Sequence, residues 1–310
     1  MKTIKNNIHL YFVALTVLVL VESCQKLDTV VDLKIDEKQN LLVVNSIFTN
    51  DSIITVDISK TSNYFSTQTN DSISGAICQL YINGTYSETL LHKGNGTYRT
   101  NLKAVAGNSY ELKVSANGFK SVTAQTQLPS LTVLVDAQTY ADSVNGKFNF
   151  TVKDIDNSRN YYTISLLLVP KDSLGNYNVL KKGQILSLNQ QKQSNNQEAF
   201  FDLFGNSSQE YSAWNYEFDD EMYNQQQLTY SLNYTEFYYI DSNETIPPLK
   251  RFVYLKNVSA EMYNYKKTLQ KQQDNANNAF AEPVQIYNNI TGGLGIFAGY
   301  SQVIREVKRK

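Results

Sequence analysis

The sequence predicts an all-β protein, made of an N-terminal immunoglobulin-like β-sandwich and a second β-rich domain that carries one helix. Short segments of alternating apolar and polar residues recur along the chain and are separated by Asn-Gly and other polar turns. This pattern is typical of antiparallel strands. The 22 tyrosines favour strands, and the abundant Asn, Ser and Thr residues favour turns.

The sandwich is predicted over residues 41–130. The segments "AICQLYI" and "TYSETLL" flank Asn83-Gly84, the strongest short signal for a two-residue hairpin. A second such turn, Asn117-Gly118, precedes another strand segment, and Pro129 ends the series. Several short strands within about 90 residues match the size of an immunoglobulin-like domain.

Residues 131–146 are interpreted as a linker, and residues 147–310 as the second domain. This part begins with a predicted strand pair, "KFNFTVKD" and "NYYTISLLLV". Its one helix is predicted over residues 260–277, because Ser259 is a suitable N-cap and apolar side chains then recur along one side.

The N-terminus has the features of a secretory signal, predicted over residues 1–23. Two lysines precede an apolar run, Ile8 to Val21, that is shorter than a stable membrane-spanning helix requires. An uncleaved membrane anchor is the alternative. Val21-Glu22-Ser23-Cys24 resembles a bacterial lipobox, although Glu22 departs from the usual small or apolar residue. Cys24 is therefore predicted to be the lipidated first residue of the mature chain, and residues 24–40 a lead-in from the lipid.

The inventory of catalytic and ligating residues is small. The net charge of −1 gives no reason to expect a nucleic-acid partner. His92 is the only histidine after the predicted cleavage site, and acylation of Cys24 leaves Cys78 without a disulfide partner. Zinc sites and a Ser-His-Asp triad are therefore not expected. The sequence predicts no cofactor and no catalytic residues.

Two acidic segments leave calcium as an alternative to that prediction. Residues 154–160, "DIDNSRN", and residues 219–221, "DDE", are rich in the oxygen ligands that calcium prefers. Neither has the spacing of an EF-hand loop, and Asp and Asn are ordinary residues of hairpin turns. No metal site is predicted.

Aromatic clusters are the best binding candidates. Tyrosine and tryptophan combine a large contact area with a polar group, which suits carbohydrate, peptide or protein surfaces. The alternative is that these rings fill the core of the second domain. The predicted binding residues are Tyr211, Trp214, Tyr216, Tyr238 and Tyr239.

The order of these features resembles a known family. After the lipobox come "LLVVNSIF" and the long segment that contains Gly96-Thr97-Tyr98, followed by "VSAEMYNYKKTLQKQQ" and "NNITGGLGIFAGYS". This is similar to the Bacteroidota outer-membrane lipoproteins known as domain of unknown function 4249. The resemblance implies an outer-membrane lipoprotein, often associated with TonB-dependent transporters, and it supplies no catalytic residues.

Five Asp-Ser/Thr-apolar triplets resemble the O-glycosylation site of exported Bacteroidota proteins. The alternative is that Asp-Ser pairs simply favour turns. The predicted acceptor residues are Thr29, Ser52, Ser72, Ser143 and Ser173.

Together these features predict a lipid-anchored, non-catalytic binding or accessory protein that partners a TonB-dependent transporter in nutrient uptake. It is expected at the outer membrane, with the surface face favoured over the periplasmic face. A structural or adhesive surface lipoprotein is the alternative, and an enzyme that uses carboxylates alone is the third hypothesis.

Overall fold

A computed structural model describes residues 40–62, 72–142, 145–154, 158–182, 184–189, 216–220, 226–235, 248–275 and 281–310. The mainly β prediction is confirmed, because strands form most of the described chain. The strands are β1 (Leu42–Thr49), β2 (Ile53–Lys60), β3 (Ile77–Ile82), β4 (Thr85–Thr89), β5 (Leu91–Gly94), β6 (Thr97–Lys103), β7 (Ser109–Ser115), β8 (Val122–Gln127), β9 (Val133–Asp142), β10 (Asn145–Lys153), β11 (Tyr161–Pro170), β12 (Gln184–Asn189), β13 (Tyr216–Asp219), β14 (Gln227–Thr235), β15 (Leu249–Val258), β16 (Ile290–Thr291) and β17 (Leu294–Arg309). The helices are α1 (Val179–Lys182) and α2 (Ala260–Asn275).

The first eight strands form a β-sandwich. Strands β1, β2, β6 and β5 are neighbours in one sheet, and β8, β7, β3 and β4 are neighbours in the other. Alternate residues of β1 and β7 are buried, as expected for strands with one face on a core. Both sheets contribute to one hydrophobic cluster, which includes Leu42, Val44, Val56, Leu80, Tyr110, Leu112 and Val114.

Two features support the immunoglobulin-like interpretation of this sandwich. Its strand order corresponds to A-B-E-D in one sheet and G-F-C-C′ in the other. Tyr110, near the start of β7, donates its hydroxyl to the carbonyl of Val105 at 3.1 Å and accepts from the Val105 N–H at 2.7 Å. A tyrosine at this position with a bond to upstream backbone is typical of the tyrosine corner. Beyond the β-sandwich itself, the immunoglobulin-like assignment stays a prediction.

The later strands close a ring. Each strand pairs with the next in the order β11, β12, β14, β10, β9, β17 and β15. The last strand, β15, pairs with the first, β11, and so closes the ring. A second hydrophobic cluster draws its residues from these strands, among them Phe148, Phe150, Ile164, Leu166, Leu232 and Val253. Strand β13 pairs with the first residues of β11, outside this ring of pairings.

The segment predicted as a linker contains a strand. Residues 133–142 form β9, which pairs along its length with β10 and at its end with β17. The segment packs on the protein core, because Thr132, Leu134, Ala137 and Thr139 are buried. The division of the chain into two domains stays a prediction.

Strand β17 belongs to both groups of strands. Its first residues, Leu294 to Tyr300, pair in parallel with β1, and residues Tyr300 to Val307 pair antiparallel with β15. The strand therefore runs out of the sheet of the sandwich and into the ring.

Helix α2 begins where the sequence predicts. Ser259 Oγ accepts a hydrogen bond from the Met262 N–H at 3.3 Å, which is the geometry of an N-cap. Met262 packs with Ile296 and Ala298 of β17. The predicted end of the helix at residue 277 lies outside the described residues, and α2 is described to Asn275. Within the described residues, no helix is both long enough and apolar enough to cross a membrane.

Cys78 is a free cysteine in the core of the sandwich. Its burial raises the pKa of the thiol to about 12. The side chain therefore behaves as a small apolar residue at neutral pH.

Candidate functional site

One of the five predicted binding residues can be placed. Tyr216 begins strand β13 and is partly exposed, whereas Tyr211, Trp214, Tyr238 and Tyr239 lie outside the described residues. Cys24, the predicted lipidation site, also lies outside them. Tyr216 therefore locates the candidate site within the fold.

Tyr216 is part of a continuous group of rings, which we call the aromatic cluster: Phe150, Tyr162, Tyr216, Phe218 and Tyr230. The Tyr216 ring centroid lies 5.8 Å from those of both Phe218 and Tyr230. Phe218 lies 4.7 Å from Tyr230 and 5.0 Å from Tyr162, and Phe150 stacks on Tyr230 at 5.0 Å. These separations are in the range favoured by aromatic pairs.

Strand register explains why these rings meet. Tyr162 of β11 is paired with Phe218 of β13, and Phe150 of β10 is paired with Tyr230 of β14. Tyr216 and Phe218 are two residues apart on one strand, so their side chains point to the same face. Four strands thus bring these rings together. Phe150 and Tyr162 belong to the second hydrophobic cluster, and the other three rings pack against it.

Burial divides the aromatic cluster into two parts. Phe150 and Tyr162 are almost fully buried, with 1% and 3% of their surface exposed. Tyr216, Phe218 and Tyr230 are partly exposed. The buried rings, Phe150 and Tyr162, were not among the predicted binding residues, and they fill the core. The outer rings reach solvent.

The two acidic segments of the sequence meet beside this cluster. Asp154 follows β10 and Asp220 follows β13, and their side chains are both in contact with Asn160. The Asn160 N–H donates to Asp220 Oδ1 at 2.8 Å, and its Nδ2 donates to Asp154 Oδ1 at 3.5 Å. Tyr162 of the aromatic cluster donates its hydroxyl to Asp154 Oδ1 at 3.4 Å.

These two carboxylates are buried. Asp154 is 5% exposed and Asp220 is 1% exposed. Burial raises the pKa of Asp220 above its ordinary value, and the negative charge of Asp154 adds to the increase, whereas hydrogen bonds from Asn160 oppose it. Among the described residues, no group of three or more His, Cys, Asp or Glu side chains is placed to hold a metal ion.

Charged contacts hold the outer side of β13. Arg159 Nη2 lies 2.8 Å from Asp219 Oδ2, and Lys266 of α2 lies 3.9 Å from Glu217 Oε1. Exposed ion pairs of this kind contribute little, about 0–1 kcal/mol each. The position of β13 therefore depends mainly on its backbone pairing and on the aromatic cluster.

His92 is distant in sequence from the strands of this site and lies on the short edge strand β5. It is exposed, and its ring is 5.0 Å from that of Tyr98 in the sandwich. Among the described residues, no hydrogen bond or ring contact joins it to the aromatic cluster or to the carboxylates. It therefore has the position of a surface histidine.

The described glycosylation candidates differ in accessibility. Ser52 is partly buried and its hydroxyl is engaged within its own turn, since it donates to the Thr49 carbonyl at 2.6 Å and accepts from the Thr49 N–H at 3.2 Å. Ser72 is partly buried and forms an isolated antiparallel β-bridge with Ser59. Ser173 is exposed, in a turn whose Asp172 carboxylate accepts from two backbone N–H groups. Thr29 and Ser143 lie outside the described residues.

We expect modification at Ser173 and none at Ser52. An enzyme can reach the Ser173 hydroxyl, whereas a sugar on Ser52 would remove the hydroxyl donor that closes its turn. Intact-mass analysis of protein from the native host should show a glycan increment that Ser173→Ala reduces and the matched Ser52→Ala leaves unchanged. An increment carried by Ser52 would contradict this assignment.

Some members of the site are not predicted individually from the sequence. Phe218 and Tyr230 lie at its exposed side, and the alternation from Tyr216 would have found Phe218 on the same face. Tyr230 and Phe150 come from distant strands, and no local signal connects them to Tyr216.

The fold and the site define a mainly β protein in which a sandwich and a ring of strands share one strand, with an aromatic cluster on strands of the ring and on the neighbouring β13. The chain belongs to the family described as "Domain of unknown function (DUF4249)", whose model matches residues 28–306. The sequence-based assignment to that family is therefore confirmed. No curated protein matches the chain.

Three solved structures are similar to parts of the chain. A Salmonella alpha-2-macroglobulin is 11% identical, with a TM-score of 0.22, and the match covers 72% of this chain but only 14% of that protein. A candidate carbohydrate-binding protein from Bacteroides uniformis is 10% identical, with a TM-score of 0.21, over 86% of this chain and 98% of that one. A DUF3823 family protein from Parabacteroides merdae is 10% identical, with a TM-score of 0.20, over 72% of this chain and 92% of that one.

Proposed function

We propose that the protein is a non-catalytic binding protein that captures a partner or ligand with its aromatic cluster and the aromatic segment that precedes it. The observation that carries this proposal is the change in burial across the cluster. Phe150 and Tyr162 are buried in the core, and Tyr216, Phe218 and Tyr230 extend from them to the surface.

This arrangement favours binding because the outer rings are held in place before a ligand arrives. Each outer ring contacts at least two other rings, so little side-chain freedom is lost on association. Aromatic residues with such packing commonly contribute most of the energy of an interface. Trp214 and Tyr211 precede Tyr216 in the chain, and we include them in the proposal as further binding residues.

The carboxylate pair gives less support to an enzyme. A general acid or base must come within hydrogen-bonding distance of the substrate. Asp154 and Asp220 are 5% and 1% exposed, and both already have hydrogen-bond partners in Asn160. The arrangement is that of buried structural groups, and the third hypothesis is accordingly not favoured.

The proposal includes the location and the partner. The lipobox-like sequence ending at Cys24 supports a lipid anchor, and the family resemblance supports the outer membrane, with the surface face favoured. We propose that the anchored protein works with a TonB-dependent transporter and presents captured nutrients to it. In that arrangement the aromatic cluster binds either the transporter or its cargo.

We expect Trp214→Ala to weaken capture about 30-fold, which corresponds to about 2 kcal/mol, because an aromatic residue that anchors an interface contributes about that much to its binding energy. The measurement is affinity purification of the tagged, lipidated protein from native membranes, followed by titration of the partner so identified. Tyr86→Ala is the matched control, since Tyr86 is a surface tyrosine of the sandwich, 51% exposed. His92→Ala should also leave capture intact.

Two experimental results would contradict the proposed function. If His92→Ala abolishes capture and Trp214→Ala leaves it intact, the protein is a hydrolase and not a binding protein. If the captured partner is a matrix or foreign-cell component instead of a transporter of the same membrane, the adhesive alternative is correct. Thermal unfolding of each variant separates loss of binding from loss of folding.

A further inference from the structure

The structure brings together two buried carboxylates, Asp154 and Asp220, that are 66 residues apart in the sequence. Asn160 connects them, with its N–H bonded to Asp220 Oδ1 at 2.8 Å and its Nδ2 bonded to Asp154 Oδ1 at 3.5 Å. The groups that contact the two carboxylates in this way, an amide and the Tyr162 hydroxyl, are neutral.

Two buried oxygen atoms at this place lack a hydrogen-bond donor. Asp220 Oδ2 and Asn257 Oδ1 are both buried, and neither has a hydrogen-bond partner within the described residues. Asp220 and Asn257 are each only 1% exposed, so bulk water does not replace the missing donors. A buried acceptor without a donor is costly, and more so when it is charged. Each such atom therefore calls for an explanation.

Asn257 belongs to the same polar cluster. Its Nδ2 donates to Asn160 Oδ1 at 3.1 Å and to the Ser130 carbonyl at 3.4 Å. These bonds fix which end of the amide is the nitrogen, because both partners are acceptors. The carbonyl oxygen of Asn257 is thus the free end of a side chain that touches the residue holding both carboxylates.

We propose that Asp154, Asp220 and Asn257 supply oxygen ligands to a bound divalent cation, calcium. Calcium is coordinated by Asp carboxylates and by Asn carbonyl oxygens, and it tolerates irregular geometry, with water or backbone oxygens completing the shell. A cation at this place would satisfy both unpartnered oxygens and would offset the repulsion between the two buried carboxylates. It would also tie the end of β10 to the end of β13 and so fix the strand that carries Tyr216 and Phe218. The inference does not depend on the proposed binding function.

The test uses the full chain, freed of divalent ions with a chelator, and calcium chloride alone as the probe. Isothermal titration should show one site with a Kd no weaker than about 1 mM, the upper end for extracellular calcium modules. Calcium at about 100 times Kd should raise the Tm by about 5 °C or more. Absence of both heat and a Tm shift at about 5 mM calcium overturns the proposal.

Variants separate this site from general binding to acidic surfaces. Asp220→Asn keeps the shape of the side chain and should weaken calcium binding at least about tenfold. Asp219→Asn is the matched control. Asp219 is adjacent to Asp220 in the chain, but its own carboxylate is partly exposed and paired with Arg159. Asp154→Asn provides a second test if Asp220→Asn does not fold. Equal calcium affinity in the wild type and in either folded ligand variant would also overturn the proposal.

Discussion

Replacing Cys24 with alanine is expected to release the protein from the membrane completely. The anchor in the proposed function is a set of acyl chains on this one thiol, and each buried CH₂ contributes about 0.8 kcal/mol to membrane binding. Several chains give an essentially permanent attachment, and removal of the thiol removes all of them. The measurement is membrane fractionation of the native host, together with incorporation of a labelled fatty acid.

Cys78→Ala is the matched control for this experiment, because Cys78 is the other cysteine of the chain and is fully buried. It should leave both fractionation and labelling unchanged. The Cys24→Ala protein should be found as unprocessed precursor or in the soluble fraction. If it fractionates with membranes as a processed chain without lipid, the lipoprotein hypothesis is wrong. If it stays as a membrane-bound precursor, the apolar run from Ile8 to Val21 acts as the anchor, which is the uncleaved alternative.

Local features of the fold were predictable from the sequence. The hairpin between β3 and β4 turns at Asn83 and Gly84, which have φ of 50° and 78°. Both residues thus adopt the left-handed conformation that a type I′ turn needs, and Asn-Gly is the pair that adopts it most readily. The start of α2 after Ser259 is predictable in the same way, because an N-cap and its helix are adjacent in sequence.

The long-range pairings were not predictable. Strand β1 pairs in parallel with β17, so Val43 and Leu294 are partners although about 250 residues separate them. Alternating apolar residues identify a strand and its buried face, but they do not identify its neighbour. The strand β9 was missed for a related reason: a bulge opposite Thr151 and Val152 interrupts its alternation, so the segment resembles a connector.

The candidate site combines both cases. Aromatic enrichment around Tyr216 and the two acidic segments are visible in the sequence, and each leaves two interpretations open. Tertiary structure adds contacts that the sequence does not show. Tyr216 and Phe218 are partly exposed, and Phe218 packs on buried rings from the distant strands β10 and β11. The contact between Asn160 and both carboxylates depends on the pairing of β13 with β11, which no local pattern specifies.

Gly295→Ala is expected to destabilise the protein by about 3–5 kcal/mol, since it attacks the pairing of β1 with β17. Gly295 has a φ of +120°, and a Cβ there would lie 2.1 Å from the Val44 carbonyl oxygen and 2.9 Å from Asn45 Oδ1. The first of these atoms belongs to the backbone of β1, so it cannot move away without opening the parallel ladder. Denaturant unfolding of the variant beside the wild type measures the loss.

Gly118→Ala is the matched control, because Gly118 also has a positive φ, +82°, but nothing lies within 4 Å of a Cβ built there. It should cost only the backbone strain, about 1–2 kcal/mol. The difference between the two variants isolates the close approach of β17 to β1. Equal losses would mean that this approach is not needed for stability. A larger loss at Gly295, with a single unfolding transition, is the result expected if β17 makes the sandwich and the ring fold as one cooperative unit.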